Sequence, residues 1–508
     1  MWDAVIVGSG FGGAMVAHRL VDAGAKVLMI ERGDWVARGD AAWLPEASLE
    51  LTDSYAKDIP YRCDRNGHGP IIGGYACVGG PSVYYGCVAF RFRERDFAGD
   101  PDVVGASHAA WPFTYDDIEP FYGEAERLLG IAGDDSADPS APRRSTPYPF
   151  PPAPLAPITE LVAHHAQQLG LSPFHLPLAI NHTATETRRA CIACRTCDTY
   201  ACAIGAKNDV ATMMIAPLVE RGLTLQTRTV ATRLEHEDGY RISRLHVTHR
   251  DTNRRETIEA RRFILAAGAL GSPHLLLASG LTHPALGRYL MRHDNAMVFG
   301  FYPSRPDPDR RFHKQIAIHD YYFGDPDADD VPDLTKLGGI QQMMTPPKEL
   351  VRAHLPRFTK TIVGALTEQL TGLLCIAEDQ PRTDNGVTVD WDVRDVYGLP
   401  QLVIDHSYTG RDRRASDALV RRAQRLLEST GALFSHTHRV KTFSHAVGTV
   451  RMGMDASSSV LDAECRFRGM SNLWVTDGSA LPMSAGVNPS LTIAANALRV
   501  AHAIARDS

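Results

Sequence analysis

Positive charge is in short supply: 53 Lys and Arg face 59 Asp and Glu, for a net charge of -6. A nucleic-acid partner needs a clustered basic surface, so none is expected. The opening residues Met1-Trp2-Asp3-Ala4 run straight into an apolar strand pattern. They carry neither a basic stretch with an apolar core behind it nor an uncharged apolar run able to span a bilayer. Secretion and a membrane are therefore not expected, and a cytoplasmic location is. Nine cysteines in 508 residues are too few for a disulfide scaffold. Five of them (Cys63, Cys77, Cys87, Cys375, Cys465) are scattered, and four are bunched. What is present is 44% hydrophobic and 22% charged, an ordinary globular composition with length for two or three domains and a buried cofactor.

The first motif lies at the N-terminus. Asp3 to Val7 read as a short apolar strand, Gly8-Ser9-Gly10-Phe11-Gly12-Gly13 follow, and Ala14 to Leu20 have helical spacing. In such a strand, turn and helix Gly8 permits the turn, Gly10 lets the backbone approach a pyrophosphate, and Gly13 lets the helix pack on the strand. The helix N-terminus then faces the phosphate charge. A second strand, Lys26 to Ile30, ends at Glu31, roughly 20 positions on, where an acid holds ribose hydroxyls. These features predict a dinucleotide site without separating FAD from NAD.

Further segments carry a family resemblance. Val78-Gly79-Gly80-Pro81-Ser82-Val83-Tyr84-Tyr85-Gly86, Trp111-Pro112 with Ile118 to Leu129, Phe263 to Gly280, Leu286 to His293, His445-Ala446-Val447-Gly448-Thr449 and Asn472 to Ile493 stand in this order. Together they resemble the glucose–methanol–choline flavin oxidoreductases. The resemblance implies an α/β (α+β overall) fold: a Rossmann-like FAD-binding domain with an inserted substrate domain on an antiparallel sheet with helices. On that pattern residues 1–190 are mainly FAD-binding, 191–205 are Cys-rich, and 206–293 continue the FAD domain. Residues 294–440 form the substrate domain, and 441–508 close the FAD domain. The cofactor residues it implies are Gly8, Gly10, Gly13 and Glu31 for the ADP half and Gly79, Gly80 and Ser82 for the flavin loop. Val230, in a strand expected over Leu223 to Val230, is implied for the adenine side. Asp477, Gly478 and Pro489 are implied beside the rest of the cofactor. Tyr85 stands where many members have Asn, and the loop has no His, so non-covalent FAD is expected.

Hydride removal from an alcohol carbon is easier when the hydroxyl proton leaves with it, which calls for a base and a hydrogen-bond partner beside the flavin. The resemblance implies His445 as that base and Asn488 as the group that orients the substrate oxygen. Imidazole suits the task near neutral pH. His293, His313 and His436 are read as ordinary core or surface residues.

Cys191, Cys194, Cys197 and Cys202 form a C-x2-C-x2-C-x4-C array. Four soft ligands at this spacing suit an iron–sulfur cluster or zinc. A disulfide or packed thiol turn is the reading placed first.

The expected partner is a small-molecule alcohol, with oxygen or a redox protein taking the electrons. The overall pattern resembles bacterial enzymes that oxidise sugar hydroxyls, including the 6'-hydroxyl of paromamine-like aminoglycoside precursors. For such a polycation, the acidic run Asp325 to Asp333 is a candidate mouth and Tyr321, Tyr322 and Phe323 are candidate stacking rings, although for the run taken alone a solvated acidic loop is the reading placed first. Glu378-Asp379 is read as structural. The competing readings are a sterol or other hydrophobic alcohol oxidase, and a flavin electron-transfer subunit without alcohol chemistry.

Overall fold

The computed structural model describes residues 1–48, 51–63, 71–237, 239–325, 329–345, 348 and 366–506. Its first sheet is built on β1 (Trp2–Val7), flanked in parallel by β2 (Val27–Ile30) and β9 (Arg255–Leu265). β6 (Thr224–Gln226) extends it beyond β2, and β17 (Leu473–Val475) pairs with β9. β9 has two characters. Its first half alternates exposed and buried residues and joins the antiparallel ribbon of β7 (Thr229–Glu237) and β8 (Arg241–His249). Its last residues, Phe263, Ile264 and Leu265, are buried without a break because that half lies inside the parallel sheet, covered on both faces.

α1 (Phe11–Asp22) follows β1 and packs against the C-terminal helix. Gly8 holds φ +103°, and a methyl group there would collide with the Ala266 carbonyl. A methyl on Gly13 would strike the Gly8 carbonyl and Ile6, so the glycines set how closely helix, turn and sheet meet.

The second sheet has the order β16-β10-β13-β12-β11-β5. Residues 294–440 supply β10 (Ala296–Phe301), β11 (Ile316–Ile318), β12 (Gly338–Met343), β13 (Leu370–Ala377) and β16 (Phe434–Arg439). The sixth strand, β5 (Phe174–His175), comes from the N-terminal part of the chain. The helices α2 (Pro157–Gln168) and α3 (Gly410–Ser429) pack together, and α3 lies on β10, β12 and β13 over a core of Ile158, Val298, Leu373, Leu419 and Leu426.

A third, four-stranded sheet joins β14 (Gly386–Arg394) and β15 (Pro400–Asp405) to β3 (Tyr55–Cys63) and β4 (Ile71–Tyr75). The stretch 294–440 thus sends two strands away from the second sheet to meet the N-terminal segment. The strand expected over Leu223 to Val230 is divided instead between β6 and β7. Arg228, at φ +50°, breaks the extended run between them. The C-terminal helix α4 (Ser490–Arg506) closes the chain against α1.

Candidate active site

The residues expected around the nucleotide come together. Glu31 is buried and accepts from Ser9 Oγ at 2.6 Å, Ser9 N at 3.2 Å and Gly33 N at 2.9 Å. Among the described residues no Lys or Arg forms an ion pair with it, and burial lifts its carboxyl above the ordinary range. Ser9 Oγ also receives Gly79 N at 3.0 Å, which ties the 78–86 loop over the glycine turn. Ser82 Oγ donates to the Gly79 carbonyl at 2.7 Å and accepts from Val210 N at 3.1 Å, pinning that loop. Gly80 faces Gly10 across the turn, and the space beside Gly10 is open for at least 4 Å. Asp477 accepts from Gly268 N at 2.9 Å and Ser479 N at 2.8 Å, and Gly12 approaches Thr476 so closely that only glycine fits. Gly478 adjoins the His445 segment, its carbonyl accepting from Gly448 N at 3.1 Å. Val230 is buried on β7, next to Thr229, whose backbone N–H bonds to the Glu31 carbonyl at 3.0 Å. An open cradle beside Gly10 and a buried carboxylate without a cation fit the pyrophosphate and ribose of FAD. Tyr85 turns its hydroxyl away to the Asn208 carbonyl at 3.1 Å and sets its ring edge-on to Phe11.

His445 and Asn488 also meet: Asn488 Nδ2 lies 3.3 Å from His445 Nε2. Behind them is a histidine that sequence reasoning set aside. His293 Nδ1 is 3.0 Å from His445 Nδ1, and His293 Nε2 is 3.1 Å from the Ser484 carbonyl. The directions follow from elementary donor rules. A carbonyl only accepts, so His293 carries its proton on Nε2 and its Nδ1 is bare. His445 must then donate from Nδ1, which leaves its Nε2 bare and turned to the Asn488 amide. Asn488 Oδ1 in turn accepts from Gln341 Nε2 at 2.7 Å. Every donor in the chain from Gln341 through Asn488, His445 and His293 points toward Ser484.

The electrostatics keep that chain neutral. Burial, then the neighbouring His293 and the Lys314 ammonium, hold the His445 imidazole well below its ordinary pKa. Burial lowers His293 as well, with Asp379 opposing. A neutral His445 with a bare Nε2 can take a proton from a hydroxyl, and the Asn488 N–H can hold the oxygen.

Glu378 and Asp379, at the end of β13, support this corner from behind. Asp379 accepts from the backbone N–H of Arg292 and His293 at 2.9 and 3.0 Å and from Ser484 Oγ at 3.0 Å. Glu378 accepts from Ala485 N at 2.8 Å and pairs with the buried Lys336. His293 itself sits at φ +63°, fixed by these bonds and by Tyr408, whose hydroxyl donates to its carbonyl at 2.6 Å. Asn488 is held at the mouth of α4, where the Pro489 carbonyl accepts from Ile493 N at 2.9 Å.

Two candidate features of the substrate mouth are engaged elsewhere. Asp325 and Asp330 are paired with Arg422, Asp330 also with Arg421, and Asp333 with Arg414, all on α3. Their charge is spent on that helix, and residues 326–328 of the run lie outside the described residues. Tyr322 is buried with its hydroxyl donating to Asp96 at 2.9 Å and accepting from Gly486 N at 2.9 Å, and Arg422 covers Tyr321. Neither ring is free to stack, and the third, Phe323, lies edge-on to Tyr322 with the Arg95 guanidinium over its face. His313 is a buried core residue and His436 lies exposed on β16, as expected.

Among the described residues the cysteine array forms no ligand cage: no three His, Cys, Asp or Glu gather to hold a metal ion, and all nine cysteines are free. Ala193 and Thr199 adopt left-handed backbone at φ +52° and +66° within the irregular 191–202 segment. There Cys197 approaches Cys87 rather than a set of three partners, with the sulfurs 4.0 Å apart.

Known proteins match along the whole chain. Family models described as GMC oxidoreductase match residues 158–295 and 381–497. The chain is 31% identical to the 6'''-hydroxyparomomycin C oxidase of Streptomyces lividus, over 99% of this chain and 91% of that protein. It is 30% identical to the paromamine 6'-oxidase of Streptomyces fradiae, over 100% of this chain and 92% of that one. In fold it superposes on the Aspergillus oryzae formate oxidase with a TM-score of 0.71, at 16% identity, covering 100% and 98% of the two chains. The matched family models and relatives make it an FAD-dependent alcohol oxidoreductase. The chain belongs to the GMC oxidoreductase family.

Proposed function

We propose that the protein oxidises a hydroxyl group of a sugar, glycoside or aminoglycoside precursor to the carbonyl, with the 6'-hydroxyl of a paromamine-like molecule as the particular candidate. Bound non-covalently, FAD supplies the hydride acceptor. His445 Nε2 takes the hydroxyl proton, Asn488 Nδ2 steadies the oxygen, and His293 holds His445 in the tautomer that leaves Nε2 bare. Gly8, Gly10, Gly13, Glu31, Gly79, Gly80, Ser82, Val230, Asp477, Gly478 and Pro489 hold the cofactor. With the two aminoglycoside oxidases as relatives, molecular oxygen is the acceptor proposed.

The observation that carries the reading is the one-way hydrogen-bond chain, because it sets a bare imidazole nitrogen beside an amide donor. The two aminoglycoside oxidases among its relatives favour a polar substrate over a sterol. The test is anaerobic bleaching of the flavin by paromamine, simple hexopyranosides and cholesterol. Bleaching by paromamine or a hexopyranoside is expected. Bleaching by cholesterol alone would overturn the substrate class, and no bleaching by any alcohol would overturn the chemistry.

A further inference from the structure

One sulfur pair lies outside the catalytic corner and has no part in the chemistry just described. Cys87 directly follows the flavin loop, is fully buried, and holds a left-handed backbone at φ +64°. Its thiol points at Cys197, 110 residues away in sequence, with the sulfurs 4.0 Å apart. Cys197 is half-buried, so it is the member of the pair nearer solvent.

The surroundings distinguish the two thiols. Buried Lys207 sends its ammonium to carbonyls of the same two segments, Tyr85 at 2.8 Å, Cys197 at 2.8 Å and Tyr200 at 2.9 Å. Against the cost of its burial, Cys197 and then Cys87, Asp198 and Asp209 favour the Lys207 ammonium, so a Cys197 thiolate has a positive charge beside it. The hydrogen bond from Cys87, with the Lys207 charge behind it, brings the Cys197 thiol down to about 7, whereas burial pushes Cys87 well up. One sulfur is therefore poised to attack and the other to resolve.

The pair also touches the catalytic corner. Asp198, next to Cys197, pairs with Lys314 at 2.9 Å, and both crowd Gly86 so closely that a methyl group there would collide with them. Lys314 is one of the charges that hold His445 neutral. Drawing the sulfurs from 4.0 Å to a disulfide length of about 2 Å would shift this ion pair.

We propose that Cys87 and Cys197 are a reversible redox pair, oxidised to a disulfide by a hydroperoxide, and that the bridge slows alcohol oxidation. In the first step the Cys197 thiolate attacks one peroxide oxygen, and the O–O bond breaks. The other oxygen leaves as hydroxide and becomes water with the proton that Cys197 had released, while Cys197 becomes a sulfenic acid. Cys87 sulfur then attacks Cys197 sulfur and the S–O bond breaks. Hydroxide leaves with the Cys87 proton as the second water. Two thiols and one hydrogen peroxide thus give one disulfide and two waters.

The test treats the FAD-loaded protein with hydrogen peroxide and maps its peptides. The expected product joins the Cys87 and Cys197 peptides, lighter by two hydrogens, and dithiothreitol restores both thiols. In C87S, Cys197 is expected to accumulate as a dimedone-reactive sulfenic acid; in C197S no bridge to Cys87 forms. Unjoined Cys87 and Cys197 in the wild type, or bridges confined to Cys191, Cys194 and Cys202, would overturn the pairing. The slowing rests on the alcohol-oxidation reading and is read separately: flavin reduction by paromamine is expected to fall severalfold in the bridged form and return with dithiothreitol. An unchanged rate in a demonstrably bridged protein would overturn the switch and leave the pairing standing. No flavin reduction even in the reduced protein would count against the substrate, not against the pair.

Discussion

Between Gly8 and Glu31 the nucleotide site is made by a single strand, turn, helix and strand, whereas the catalytic corner draws Gln341, Asn488, His445, His293 and Ser484 from four separate stretches of chain. The turn works through backbone: its glycines let main-chain groups of Ala266, Thr476 and Gly80 close around the cradle. The corner works through proton direction, fixed at one end by a carbonyl that can only accept. A backbone site fails when an atom is added; a directional site fails when a donor and an acceptor are exchanged.

The largest expected effect is on the corner. His445→Ala removes the imidazole nitrogen that faces Asn488 and should lower the rate of flavin reduction by about 10²–10⁴-fold, the range for losing a positioned base. FAD should stay bound, as its absorbance after gel filtration will show; near-normal reduction would break the assignment. Gly8→Val tests the other side of the comparison. A β-branched residue at φ +103° against the Ala266 carbonyl should yield protein that loses FAD on gel filtration. Retention of the cofactor at wild-type affinity would show that the turn does not depend on that close approach.

A smaller effect sharpens the electrostatics. Only neutral His445 can accept the proton, and the Lys314 ammonium disfavours protonation. Flavin reduction should therefore hold its rate as pH falls to the ordinary histidine value of about 6.5 and decline only below it. Lys314→Gln removes one of the charges that lower the pKa, so the decline should move to higher pH. A limb that stays in place or moves to lower pH would contradict the role given to Lys314.

The same contrast explains what could be read in advance. The glycine turn, Glu31, the flavin loop and the His445–Asn488 pair lie in contiguous motifs, and the structure brings them together. His293 ends the Leu286 to His293 segment, but nothing in that segment ties it to His445, 152 residues away. A signal was nonetheless present. His293, Asp294 and Asn295 form a polar run between apolar stretches, and all three are buried, so each demands a partner. Gln341 and Gln342 in the middle of β12 carry the same signal. The partners of the acidic run could not be read in advance, because Arg414, Arg421 and Arg422 lie some eighty to a hundred positions on and reach it through the packing of α3. The approach of Cys197 to Cys87 could not be read from the cysteine spacing, because Cys87 is not part of that array and left-handed residues at Ala193 and Thr199 turn the segment.

The central claim is that His293 fixes the tautomer of His445, and anaerobic stopped-flow measurement of flavin reduction in two variants tests it most directly. His293→Ala removes the acceptor for His445 Nδ1–H and should slow reduction by about 10–100-fold, as misplacement of a catalytic group does, with FAD still bound. His293→Asn puts a carbonyl oxygen where Nδ1 stood and should restore most of the rate. Equal loss in both variants, or no loss in His293→Ala, would contradict the account.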